Sequence, residues 1–130
     1  MRFIRLLVLV ALCPALALAG LAGCGASKKE GQSQQQSQQI AQNFVENEAT
    51  FKFDGMKETL KLAETTTLSD GYQFVFEFQS SQAGYGDRID MMLAQVITPH
   101  QAVIVVKQDQ VYSAVMDGKW NMMTQQLLPQ

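Results

Sequence analysis

Between two turn signals, aromatic residues take every second position: Tyr72, Phe74, Phe76 and Phe78, with Gln73, Val75, Glu77 and Gln79 between them. Side chains alternate across a β-strand, so this spacing lines four rings along one face, which no helix could do. A row of rings needs a covering layer. It predicts the central strand of a half-buried sheet rather than a platform for stacking a ligand.

The cover is expected upstream. Ser33-Gln34-Gln35-Gln36 has the form of a capping box, and Ile40, Ala41, Phe44 and Val45 recur on one helical face while Gln42, Asn43, Glu46 and Asn47 turn outward. After Ala49 the period becomes two: Phe51 and Phe53, then the turn signal Asp54-Gly55, then Leu60 and Leu62, which reads as a hairpin or bent pair of strands. Asp70-Gly71 opens the aromatic strand. Residues 80–90 read as a loop, and residues 91–97 as an interior strand apolar on both sides. Thr98-Pro99-His100-Gln101 is expected to turn the chain. Residues 102–106 and 111–116 form a β-branched hairpin about Asp109, ended by Asp117-Gly118. Trp120, Met123 and Leu127 recur at i, i+3 and i+7, which predicts a short C-terminal helix, a last strand being the alternative.

These elements add up to an α+β domain: an N-terminal helix packed on a curved antiparallel sheet of five or six strands, in cystatin-like order, with a small antiparallel β-barrel as the alternative. Fold class alone carries no function.

The start of the chain speaks of location. Arg2 and Arg5 precede an apolar run over residues 6–18, broken by Pro14 and short of the ~20 residues a membrane span needs, so it reads as a secretory signal. Leu21-Ala22-Gly23-Cys24 matches the lipobox of bacterial-type lipoproteins at each position. The expected organisation is a lipoprotein signal peptide over 1–23, a lipidated Cys24 with a disordered Gln/Ser-rich tether over 24–39, and one α+β domain over 40–130. As flexible coil the tether would reach roughly 20 Å. The expected location is the cell membrane or an outer membrane, lipid-anchored, on the extracytoplasmic side.

Of the two cysteines, Cys13 leaves with the signal and Cys24 carries the lipid, so the mature domain has no thiol for a disulfide, a metal or catalysis. Without Arg2 and Arg5, eight basic residues face twelve acidic ones, a formal charge of -4. That balance argues against nucleic acid and against a polybasic membrane patch, leaving the lipid on Cys24 as the anchor. The partners expected are the membrane and an envelope protein or small ligand, with no cofactor.

Chemistry is sparse. His100 is the single histidine, so a metal site would need carboxylates beside it, and after Pro99 it is expected in an exposed, structural role. A Ser/His/Asp triad would have to join His100 to Ser80, Ser81 or Ser113, none of which has a Gly-x-Ser-x-Gly elbow. Glu77, Asp87 and Asp90 lack the density of a calcium loop. The functional weight falls on Gly84-Tyr85-Gly86-Asp87-Arg88, too long for an ordinary hairpin connection, where the glycines are expected to take positive φ and Arg88 to pair with Asp90 or Glu77 at the surface. Two classes follow. One is a non-catalytic binding module with Tyr85, Asp87, Arg88 and Trp120 as contacts. The other is a small hydrolase or metal-dependent enzyme using His100 with Asp87 and Asp90.

Four blocks, Phe51-Lys52-Phe53-Asp54-Gly55, Ala83-Gly84-Tyr85-Gly86-Asp87-Arg88, Leu93-Ala94-Gln95-Val96-Ile97-Thr98-Pro99-His100 and Ser113-Ala114-Val115-Met116-Asp117-Gly118-Lys119-Trp120, are similar to those of a group of small exported or lipid-anchored microbial proteins. The resemblance spans most of residues 41–123 and implies no activity. Members of that group often carry a cysteine pair before the aromatic strand, where this chain has Ser69-Asp70-Gly71-Tyr72, so a redox role is not implied.

Overall fold

The computed structural model describes residues 26–130, with side chains from Gln34 onward. The expected signal peptide and lipobox, with the expected lipidation at Cys24, lie outside the described residues. Two helices, α1 (Ala26–Asn47) and α2 (Ala49–Asp54), precede six strands: β1 (Gly55–Leu68), β2 (Gly71–Ser80), β3 (Thr98–Lys107), β4 (Gln110–Met116), β5 (Trp120–Asn121) and β6 (Gln126–Leu127). The strands form one open antiparallel sheet in sequence order. Among the described residues no helix is long and apolar enough to cross a membrane.

The aromatic row does what its spacing requires. Phe74, Phe76 and Phe78 of β2 share a buried face with Ala102, Ile104 and Val106 of β3 and Ala114 and Met116 of β4, and α1 covers them with Ala41 and Val45. Ile40 and Phe44 flank that seam, while Gln42, Asn43 and Asn47 are exposed. The helix starts well before Ser33, and Ser37 is already buried, so packing begins inside the segment expected to be tether.

Four expectations need correction. Phe51 and Phe53 lie in a helix, because Glu48 takes an extended conformation, ends α1 and accepts hydrogen bonds from the Thr50 and Phe51 amides. The turn of α2 drives Phe51 edge-on against Phe78, 5.0 Å between centroids, and leaves Phe53 half-buried. Residues 91–97 form no strand: both sides of β2 are taken by β1 and β3, so no place for an interior strand remains. Thr98-Pro99-His100-Gln101 begins β3 instead of turning, with Pro99 opposite Gln79 near the strand's start, where a missing N–H is tolerated. The C-terminal segment is the β5–β6 hairpin: Asn121 Oδ1 accepts from the Met123 and Thr124 amides, 3.0 Å each, and turns the chain before a helix can form.

β1 bulges between Met56 and Lys61, where its register against β2 shifts. Thr59 repairs the ladder there, its Oγ1 accepting the Gln79 amide at 2.8 Å and donating to the Met56 carbonyl at 2.6 Å.

Candidate functional site

The long connection between β2 and β3 has two halves of opposite character. Its first half, residues 81–88, is fastened to the scaffold by three carboxylates. Asp54, at the end of α2, accepts Arg88 Nη2 on Oδ1 at 2.5 Å and the Gln82 amide on Oδ2 at 2.7 Å. The Arg88 and Asp54 side chains are only 1% and 6% exposed. Arg88 Nη1 donates to the carbonyls of Ala83 and Gly84, and the guanidinium lies 4.8 Å from the Phe53 ring centre. The surface pairing expected for Arg88 is therefore replaced by a buried one; Glu77 pairs with Lys61 instead, at 3.1 Å.

The second fastening runs through α2. Glu48 is buried and, besides capping α2, accepts hydrogen bonds from Thr50 Oγ1, Trp120 Nε1 and Gln125 Nε2. Thr50 Oγ1 in turn accepts the Gly86 amide at 2.8 Å. Gly86 has φ +73°, and a Cβ there would stand 3.2 Å from the Trp120 ring, so both backbone conformation and space call for glycine. Gly84 also takes the expected positive φ.

The third centres on Asp117, in the turn after β4. Its Oδ2 accepts Tyr85 Oη at 3.0 Å and lies 2.7 Å from His100 Nδ1, while Oδ1 accepts the Gln101 amide at 2.7 Å. His100 Nε2 is 3.1 Å from Ser80 Oγ. His100 is thus buried, contrary to its expected exposure, because it sits opposite Phe78 in the β2–β3 ladder, on the core face of β3. The Tyr85 ring is stacked on Trp120 at 5.5 Å. Burial pushes the Tyr85 hydroxyl up to about 12, with the hydrogen bond to and charge of Asp117 acting the same way. Burial pulls Asp117 upward, yet hydrogen bonds from His100 and the Gln101 amide, the His100 charge and the Tyr85 hydrogen bond leave it lowered.

The signs give a measurable consequence. Asp117, lowered in the fold, contributes stability above its ordinary value of 3.8 that is lost as pH falls through its folded pKa. Tyr85, raised in the fold, contributes stability that is complete below 10 and lost as pH rises through about 12. In a difference titration of phenolate absorbance between the native chain and Tyr85→Phe, the Tyr85 component is expected near pH 12. Asp117→Asn should lower it part of the way toward 10, burial holding the rest, and an unchanged midpoint would show that the Asp117 charge does not act on the hydroxyl.

Ser80, His100 and Asp117 have the connectivity of a nucleophile, base and orienting acid. Access is missing. Ser80 is 0% exposed and His100 4%, and Ser80 Oγ also donates to the Gln82 carbonyl at 2.8 Å. With one hydrogen, that hydroxyl donates to either the carbonyl or the imidazole, and both side chains are buried, away from the ~3 Å contact with substrate that attack requires. The arrangement ties β2, β3 and the Asp117 turn together. Asp87 and Asp90 are exposed, and the carboxylate at His100 is Asp117. Among the described residues no three His, Cys, Asp or Glu side chains cluster as metal ligands would.

Of the expected contact residues, Tyr85 and Trp120 come together as a half-buried stack, Arg88 lies beneath the surface, and Asp87 is exposed, its Oδ1 accepting the Ile89 amide. Sequence reasoning missed Glu48, Thr50, Asp54 and Asp117. Two of them had a signal, since Asp54-Gly55 and Asp117-Gly118 were legible as turns, but which donors their carboxylates meet depends on long-range packing.

Beyond Arg88 the connection changes. Ile89, Met91, Met92, Val96 and Ile97 are 57–104% exposed, with Met92 wholly in solvent. Beside them a groove of about 520 Å³ is lined by Asn47, Ala49, Lys52, Phe53, Asp87 and Ile89. Comparison with known proteins returned no matching family model, no matching curated protein and no matching solved structure.

Proposed function

We propose that this chain is a lipid-anchored protein of the cell envelope, held by an acylated Cys24 on the extracytoplasmic face of a cell or outer membrane, whose domain binds a partner without catalysis. The observation that carries the binding reading is the contrast within one connection: residues 81–88 are fixed by Asp54, Thr50 and Asp117, and residues 89–97 hold five large apolar side chains in water. Exposed apolar patches beyond a few hundred Å² mark interaction sites on folded proteins. On this reading Asp87 lies at the contact's edge, while Tyr85, Arg88 and Trp120 hold the root in position. One long helix before an antiparallel meander also supports the cystatin-like reading of the order, which carries no activity with it.

Cys24→Ala is the test of the anchor: the variant should be unacylated and pass from the membrane fraction to the soluble one. Its retention in washed membranes would refute the lipid reading. For binding, the full chain and an Ile89→Asp/Met92→Asp variant would be used as bait on detergent-solubilised envelope. Proteins held by the first and lost by the second are expected; identical recovery by both would exclude the apolar segment as the contact.

A further inference from the structure

We infer that the partner of the 89–97 segment is a second copy of this chain, an inference that rests on the binding reading above. Three observations converge on it.

The first is area. At exposures of 57–104%, Ile89, Met91, Met92, Val96 and Ile97 together offer roughly 700 Å² per copy, so two copies meeting there would bury about 1,400 Å², within the ~1,200–2,000 Å² of specific, stable interfaces.

The second is shape and charge. The groove beside the segment takes Ala49, Phe53 and Ile89 into its lining beside Asn47, Lys52 and Asp87, and Met92 is a long, flexible, unsupported side chain of a size to enter it. Ile89 lines the groove and Met92 follows three residues later, so each copy carries both knob and groove, and a two-fold axis can satisfy both copies at once and close the assembly. Lys52 in the groove's lining and Asp90 beside Met91 make no ion pair among the described residues, so each copy offers one free charge of each sign to a second copy.

The third is direction. The N-terminal part of α1 points to the other end of the sheet: Ser37 lines a cavity with Ser69, Asp70, Gln108 and Asp109 of the β1–β2 and β3–β4 turns, whereas Asn47, ten residues or ~15 Å along the helix, lines the groove beside Ile89. On the anchored reading above, the described part of α1 enters the domain at the end opposite the apolar segment, which leaves that segment open to a neighbouring copy.

The test is thiol cross-linking of the full chain in native membranes. Met92→Cys, treated with a bismaleimide, should give a band of twice the chain's mass at least tenfold stronger than that of Asp70→Cys at the opposite end, with wild type reporting any background from Cys13 and Cys24. Adding Ile89→Asp to Met92→Cys should abolish it. A Met92→Cys band no stronger than that of Asp70→Cys would overturn self-association. So would a cross-link only to a protein of different mass, although binding through this segment would then stand. No cross-link of any kind, together with unchanged bait recovery, would remove both readings.

Discussion

Asp54→Ala should destabilise the fold by about 3–5 kcal/mol, because it leaves a buried guanidinium without its counter-charge. For a domain of this size that is a fall in Tm of at least ~12 °C. Arg88 is 1% exposed and Asp54 6%, so solvent cannot replace the lost partner, and Arg88 Nε already lacks a hydrogen-bond acceptor among the described residues. The same change frees the Gln82 amide and the Ser81 hydroxyl, both of which Asp54 Oδ2 accepts. Asp54→Leu combined with Arg88→Met removes both charges together with their desolvation cost, so the pair should recover most of the loss. Denaturant unfolding of the three variants checks this. A single Asp54→Ala variant as stable as wild type would mean that the root of the connection is not closed as described.

Phe76→Ala should cost a similar amount, about 3–5 kcal/mol, by a different route. Phe76 is 1% exposed at the middle of the aromatic row, in register with Ala102 across β3 and Leu62 across β1, and small neighbours such as Ala102 cannot fill the space left behind. The two losses separate in where they act. Both variants should raise amide exchange in β3 alike through the shared loss of global stability. Asp54→Ala should in addition open residues 81–88 locally, so exchange there should rise by more than in Phe76→Ala.

The core was legible because it obeys local periodicity. Tyr72 to Phe78 alternate, and Ile40, Ala41, Phe44 and Val45 share a helical face, so strand and cover could be read from spacing alone. The errors lie where a tertiary contact overrules a local pattern. Phe51 and Phe53 look like a strand until Glu48 caps the turn that contains them, and what makes Glu48 a cap and an acceptor for Trp120 is invisible in its neighbours. Residues 91–97 read as interior strand on composition, yet strand positions are limited by topology, and β1 and β3 already occupy both sides of β2. In sequence, an apolar run such as residues 91–97 looks the same whether the fold buries it or leaves it exposed, and here Met91, Met92, Val96 and Ile97 are exposed. His100 was misplaced by Pro99, whose usual meaning is a turn, but which here stands near the start of β3. The long-range contacts of the polar network at the site join residues 16 to 77 positions apart, a separation across which sequence spacing has nothing to say.

A fixed root presents a free apolar segment, and amide hydrogen exchange resolved at Gly86 and Met92 reads both halves of the connection. It is best measured on the Met92→Asp chain, in which the segment stays in water. The Gly86 amide, donated to the buried Thr50 hydroxyl, should exchange at least ~100-fold more slowly than that of residue 92 and slow further toward the rate of β3. Equal, rapid exchange at both positions would contradict the claim, since the whole connection would then be a mobile loop and its exposed side chains would have no fixed geometry to offer a partner.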